Sequence, residues 1–97
     1  MGLALADRKQ LETLLKAAAK DPKVATALAG RMVPGQGDAK EFAYGLLSGM
    51  VIGSFMASFE ARNGRQPDRD ETSDLLSIVM SGMPALRKAI MKQLDMR

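Results

Sequence analysis

Between Phe42 and Phe59 the chain runs for 18 residues without a charged side chain, and within that run Gly45, Gly49, Gly53 and Ala57 recur at every fourth position. Residues four apart share one side of a helix and form one of its packing ridges, so a ridge of Gly, Gly, Gly and Ala is a shallow trench. Three glycines inside a helix cost roughly 1 kcal/mol each relative to alanine, about 3 in total, and the contact they allow must offset that. Beside the trench stands a bulky ridge of Leu47, Val51, Phe55 and Phe59, while Leu46, Met50, Ile52 and Met56 cover most of the remaining surface. Such a helix is apolar all round, which suits the middle of a bundle or a membrane span. Asp38 is placed to cap it and Gly64 to stop it, which predicts a helix over 39–63, on the order of 35 to 40 Å long.

The same periodicity predicts shorter amphipathic helices on either side. Leu11, Leu14, Leu15 and Ala18 recur at helical spacing behind Asp7, a candidate N-cap. Asp21-Pro22 pairs a capping residue with proline at the first helical position and starts a second helix, whose inner face is expected to carry Val24, Ala27, Leu28 and Met32. The two helices are expected to form a hairpin before Pro34, Gly35 and Gly37 interrupt the pattern. A hydrophilic connector from Arg62 to Asp74 leads to a fourth helix with Leu75, Leu76, Val79, Met80 and Met83 on one side. Pro84 either kinks this helix or begins a fifth, capped by Ser81, that turns Leu86, Ala89, Ile90 and Leu94 inward. Strand-like alternation is absent. The expected fold is all-α, a four- or five-helix bundle around the long glycine-rich helix, with residues 1–97 as a single domain.

A bundle of this size leaves an arithmetic problem. The long helix wants partners on every side, yet each of the others offers one apolar stripe. Two readings of the trench follow: a second copy crosses it about a two-fold axis, or one of the chain's own first two helices fills it. The first is the expectation, which makes the protein a dimer. A membrane span needs about 20 predominantly apolar residues, and the run approaches that length. However, Glu41 stands at one end and Glu60 and Arg62 at the other, with no Trp and a single Tyr to anchor an interface. Membrane association is therefore the lesser alternative.

Charge and composition narrow the chemistry. The net charge of +3 permits an acidic partner without requiring one. Residues 1–40 contribute +3, residues 41–74 contribute −3 and residues 75–97 contribute +3, so the basic groups are segregated. Arg87, Lys88 and Lys92, with Arg97 just beyond, form a candidate face for nucleic acid or another acidic partner. A helix-turn-helix reading, with Ser81-Gly82-Met83 as the turn, puts Lys88 where an aliphatic residue is expected and lacks aromatics for stacking. The bland reading is a solvated face whose cations complement a helix C-terminus.

The chain has no His and no Cys, which removes the usual proton shuttle, the thiol nucleophile and the His/Cys ligand sets for zinc. Asp68, Asp70, Glu71 and Asp74 are the one carboxylate cluster, and their spacing is not that of a calcium-binding loop. Glu71-x-x-Asp74 is similar to half of the metal-binding pattern of the all-α nucleotide pyrophosphohydrolases. The Glu-x-x-Glu of a preceding helix is absent, so nothing is carried over from that family. Acids at the start of a helix serve as caps and dipole partners, and no catalytic residue, metal or cofactor is expected. Eight methionines, four of them after residue 79, read first as core filler and second as an adaptable groove for a partner helix. The N-terminus shows no basic segment followed by an apolar core, and Ala6 stands where a myristoylation motif would have Ser or Thr. A cytoplasmic setting is the expectation. The residues point to a small non-catalytic protein that acts as a self-associating interaction or regulatory module, with nucleic-acid binding through the basic C-terminal helix as the alternative.

Overall fold

The computed structural model describes residues 2–32 and 38–95, which form four helices and no strand: α1 (Leu5–Lys20), α2 (Lys23–Met32), α3 (Ala39–Asn63) and α4 (Arg69–Asp95). The two long helices run antiparallel as a hairpin, with Arg87 of α4 beside Glu41 of α3 at one end and Arg65 beside Glu71 at the other. α1 lies antiparallel to α3 and parallel to α4, since Gln10 meets Ser58 and Leu15 meets Gly82. α2 continues onward from α1 and packs on α3, with a smaller contact on α4. The molecule is a rod of 44 × 20 × 18 Å. In cross-section it is three helices thick, the third being α1 and α2 laid end to end.

The ends of α3 form as their residues dictate. The Asp38 carboxylate accepts the Glu41 N–H at 3.1 Å, and Gly64 takes the left-handed conformation, φ 69°, that closes a helix with little strain in a residue lacking Cβ. α4 begins with a reciprocal cap: Glu71 N–H donates to Asp68 Oδ1 at 2.8 Å and Asp68 N–H donates to Glu71 Oε1 at 2.9 Å. The core lies along one face of each long helix. Leu47, Val51, Phe55 and Phe59 of α3 meet Leu75, Val79, Leu86 and Ile90 of α4 and Leu11 and Leu15 of α1 in one cluster.

Several expectations are corrected. Asp7 does not cap α1, which starts two residues earlier behind Ala4 without a side-chain cap; Asp7 is buried and bonded to Arg62. α1 and α2 form no hairpin, because Asp21 and the buried Pro22 redirect the chain along α3. The inner face of α2 is Pro22, Ala25, Thr26 and Ala29, whereas Val24, Ala27, Leu28 and Met32 are exposed. Small residues allow α2 to sit close to α3, and that close approach outweighs the burial of its larger side chains. α4 passes through Pro84 as one helix of 27 residues, with Ser81 Oγ donating to the Ser77 carbonyl instead of capping a new helix. A proline is tolerated there because one lost backbone bond is a small part of a long, well-packed helix. Leu76 and Met80 of α4 face solvent, while Leu75 and Val79 are buried and Met83 is half-buried.

Candidate interaction faces

α3 has two unlike sides. On one, Ala43, Leu47, Val51, Phe55 and Phe59 are buried. On the other, Gly45, Gly49, Gly53 and Ala57 are exposed, beside exposed Phe42 and Met50 and half-buried Leu46 and Met56. A Cβ placed on Gly45, Gly49 or Gly53 would find no side chain and no neighbouring helix within 4 Å. None of the described helices therefore fills the trench, and the reading in which α1 or α2 does so is overturned. The three-helix cross-section gives the physical reason: α1, α2 and α4 occupy one side of α3, and no other described helix is left to cover the other. Phe42, Gly45, Leu46, Gly49 and Met50 bound a shallow depression of about 450 Å³ on this face. From Phe42 to Ala57 the face carries no charge, and Glu60 ends it.

α3 is also the one helix among the described residues that is long and apolar enough to cross a membrane by length and composition. Its buried side is tied to charged helices at both ends. Arg62 donates to Asp7 and to Gln10, Gln10 donates to Ser58 Oγ at 2.7 Å, and Arg87 donates to Glu41 at 2.5 Å. Moving α3 into lipid would require these groups to separate or to follow it, at the cost of unsatisfied polar groups in hydrocarbon.

The candidate basic face is smaller than its sequence indicates. Arg87 pairs with Glu41 and lies over the Tyr44 ring, its guanidinium carbon 4.3 Å from the ring centroid, so it ties α4 to α3. The hydrogen bond that Arg87 donates to Glu41 raises the Arg87 pKa above its ordinary value. Lys88 and Lys92 remain exposed on α4, and Arg97 lies outside the described residues. Two lysines provide few phosphate contacts for a nucleic-acid footprint.

The acidic cluster is committed to structure. Arg65 donates to both carboxylate oxygens of Glu71, at 2.7 and 3.1 Å, and also lies over the Phe59 ring. The Arg65 hydrogen bond, helped by the Asp68 N–H, lowers the Glu71 pKa from 4.5 to about 2. Asp74 accepts the Leu3 N–H at 2.8 Å and pairs with Arg8 at 2.5 Å, which pins the N-terminal segment to α4 and buries Leu3. Among the described residues no group of three or more carboxylates is placed to hold a metal ion.

One further recess went unread in the sequence. Between α1 and α4, Leu5, Leu15, Ile78, Gly82 and Ala85 floor a cleft of about 480 Å³ with Arg8, Glu12 and Lys16 at its rim. Its depth depends on Gly82, where a Cβ would stand 3.1 Å from a Leu15 methyl.

No protein-family model, curated protein or solved structure matches the chain. The functional argument therefore rests on the faces themselves.

Proposed function

We propose that this chain is a non-catalytic helical module that acts by association, first with a second copy of itself through the open face of α3. The observation that carries the reading is the exposure of Gly45, Gly49 and Gly53 beside Phe42 and Met50, with none of the described residues seated on them. Glycine at three exposed positions inside a helix is unfavourable by roughly 1 kcal/mol each, with no compensating contact from the described residues of the single chain. A second helix in the trench would provide one, since every-fourth-residue small ridges let two backbones approach closely. The proposal needs no cofactor and keeps a cytoplasmic setting.

Absolute mass by light scattering during size-exclusion chromatography, in detergent-free buffer, tests it. The expected result is a dimer that Gly49→Leu converts to a monomer with unchanged helical circular dichroism, because the leucine side chain meets open space in the single chain. A wild-type monomer throughout the accessible concentration range overturns the proposal, as does a Gly49→Leu dimer of undiminished affinity.

A further inference from the structure

The apolar surface does not stop at α3. Leu76, Met80, Met83, Arg87 and Met91 follow one another at spacings of three and four, so they share one side of α4. Arg87 fixes where that side lies: it pairs with Glu41 and covers the Tyr44 ring, which sets the stripe along the shoulder of α4 that borders α3. Glu41 in turn shares its side of α3 with Gly45, Gly49, Ile52 and Met56, again at spacings of three and four. Because the two helices are antiparallel, each step up α3 from Glu41 is a step down α4 from Arg87. Met80 therefore comes level with Ser48 and Gly49, and Leu76 with Ile52. Met80 is 69% and Leu76 48% exposed, while Ile52 and Met56 are half-buried. α4 borders the trench without roofing it, since a Cβ on Gly45 or Gly49 would still meet nothing within 4 Å.

We infer, resting on the self-association reading, that the interface is two helices wide: the second copy seats on α4, over Met80 and Leu76, as well as on α3. Area points to this width. The uncharged α3 face is about 27 Å long and on the order of 10 Å wide, roughly 300 Å² per copy, against roughly 800 Å² per partner in a stable complex. α3 alone is too small. The α4 stripe adds a second lane beside it. The single chain also carries surface to spare, exposing 6317 Å² at 10.4 kDa where a compact protein of that mass exposes about 5,400 Å². The surplus, about 900 Å², is close to one partner's share of a stable interface. Charge points to a second copy as the occupant. A two-fold interface sets each patch against itself, so only a face without net charge can meet its own copy freely. Here Glu41 and Arg87 neutralise each other at one end, and exposed Glu60 and Arg69 stand at the other, one of each sign. Arg62 and Arg65, near that second end, are bonded to Asp7 and Glu71.

Met80→Glu tests the width of the interface, with Leu5→Glu as its control, because Leu5 is equally exposed at 67% but lies on α1 at the α1/α4 cleft. Both side chains stand in solvent in the single chain, so neither change should alter its helical circular dichroism. Sedimentation equilibrium should show the dimer of Met80→Glu weakened by about tenfold or more, since a carboxylate is set against an apolar partner, and that of Leu5→Glu unchanged. A second measurement uses the wild-type chain alone. The Met80 methyl resonance, broadened by a soluble nitroxide in dilute solution, should lose most of that broadening when the chain is concentrated. A Met80→Glu dimer of full affinity, or a Met80 methyl equally broadened at both concentrations, overturns the two-helix interface. If Gly49→Leu still dissociates the chain in that case, self-association through α3 alone stands. A wild-type monomer at every concentration removes self-association and this inference with it. Should that monomer co-sediment with phosphatidylcholine vesicles, the face belongs to a bilayer.

Discussion

Gly82 and the trio Gly45, Gly49 and Gly53 sit in the two long helices of one hairpin and do opposite things. At Gly82 a Cβ would press on the Leu15 side chain at 3.1 Å, so this glycine lets α1 approach α4. At the trio a Cβ would meet nothing within 4 Å beyond its own helix. The single glycine without a pattern serves the chain's own packing, and the patterned glycines do not. Regular spacing of small residues reports that a helix can be approached closely; it does not report by whom.

Four substitutions or titrations would break or sharpen this contrast. The two sides of α3 should differ most in what truncation costs. Phe55 is fully buried, so Phe55→Ala should destabilise the single chain by about 3–5 kcal/mol in urea unfolding; a loss below roughly 1 kcal/mol would mean that the core face is not the one described. Gly82→Leu comes next, with about 1–3 kcal/mol lost to overpacking against Leu15 and the α1/α4 cleft occluded. Unchanged stability would show that α1 does not press on α4 at this point.

Gly49→Ala should act in the other direction. In the isolated chain, below the dissociation concentration, it should stabilise the helix by up to about 1 kcal/mol, because alanine is the better helix former and the methyl has room. At high concentration the same methyl should weaken the proposed self-association. Destabilisation of the dilute chain would mean that the trench is filled from within, which would erase the contrast with Gly82.

The smallest effect concerns the end of the hairpin far from α2. Glu71 has its pKa lowered from 4.5 to about 2 by Arg65 and the Asp68 N–H. A carboxyl with a depressed folded-state value contributes stability that is fully present above its unfolded value and is lost as pH falls through the folded one. Thermal stability should therefore decline between pH 4.5 and about 2, and Glu71→Gln should flatten that part of the profile. An identical acid profile in the variant would show that the Arg65–Glu71 pair does not stabilise this end.

Much of the fold was legible because it depends on local chemistry. Asp38, Gly64 and an uninterrupted apolar run locate α3 from Ala39 to Asn63 through capping and left-handed closure, which neighbouring residues settle among themselves. Leu11 and Leu15 of α1, and Leu75, Val79, Leu86 and Ile90 of α4, face the core as their periodicity implies. α2 was misread because hydrophobicity ranks Val24, Leu28 and Met32 above Ala25 and Ala29, whereas the fold buries the residues small enough for close approach. Whether α4 breaks at Pro84 was left open by the sequence, because proline's local penalty has to be weighed against packing on either side of it, and the helix runs through. The pairing of Arg87 with Glu41 was not legible for a similar reason: the two are 46 positions apart along the chain, and no spacing rule reveals it.

The sequence alone determined that this protein is helical, where its longest helix begins and ends, and that one side of that helix can be closely approached. Hydrogen bonding within a turn or two, and the period of 3.6 residues, are enough for those conclusions. The tertiary structure decided which side of each helix turns inward, that α1 and α2 share one lane along the hairpin, and that the glycine trench is left open. Those outcomes depend on how many neighbours three lanes of helix can offer to α3, a property of the assembled chain that no local stretch contains.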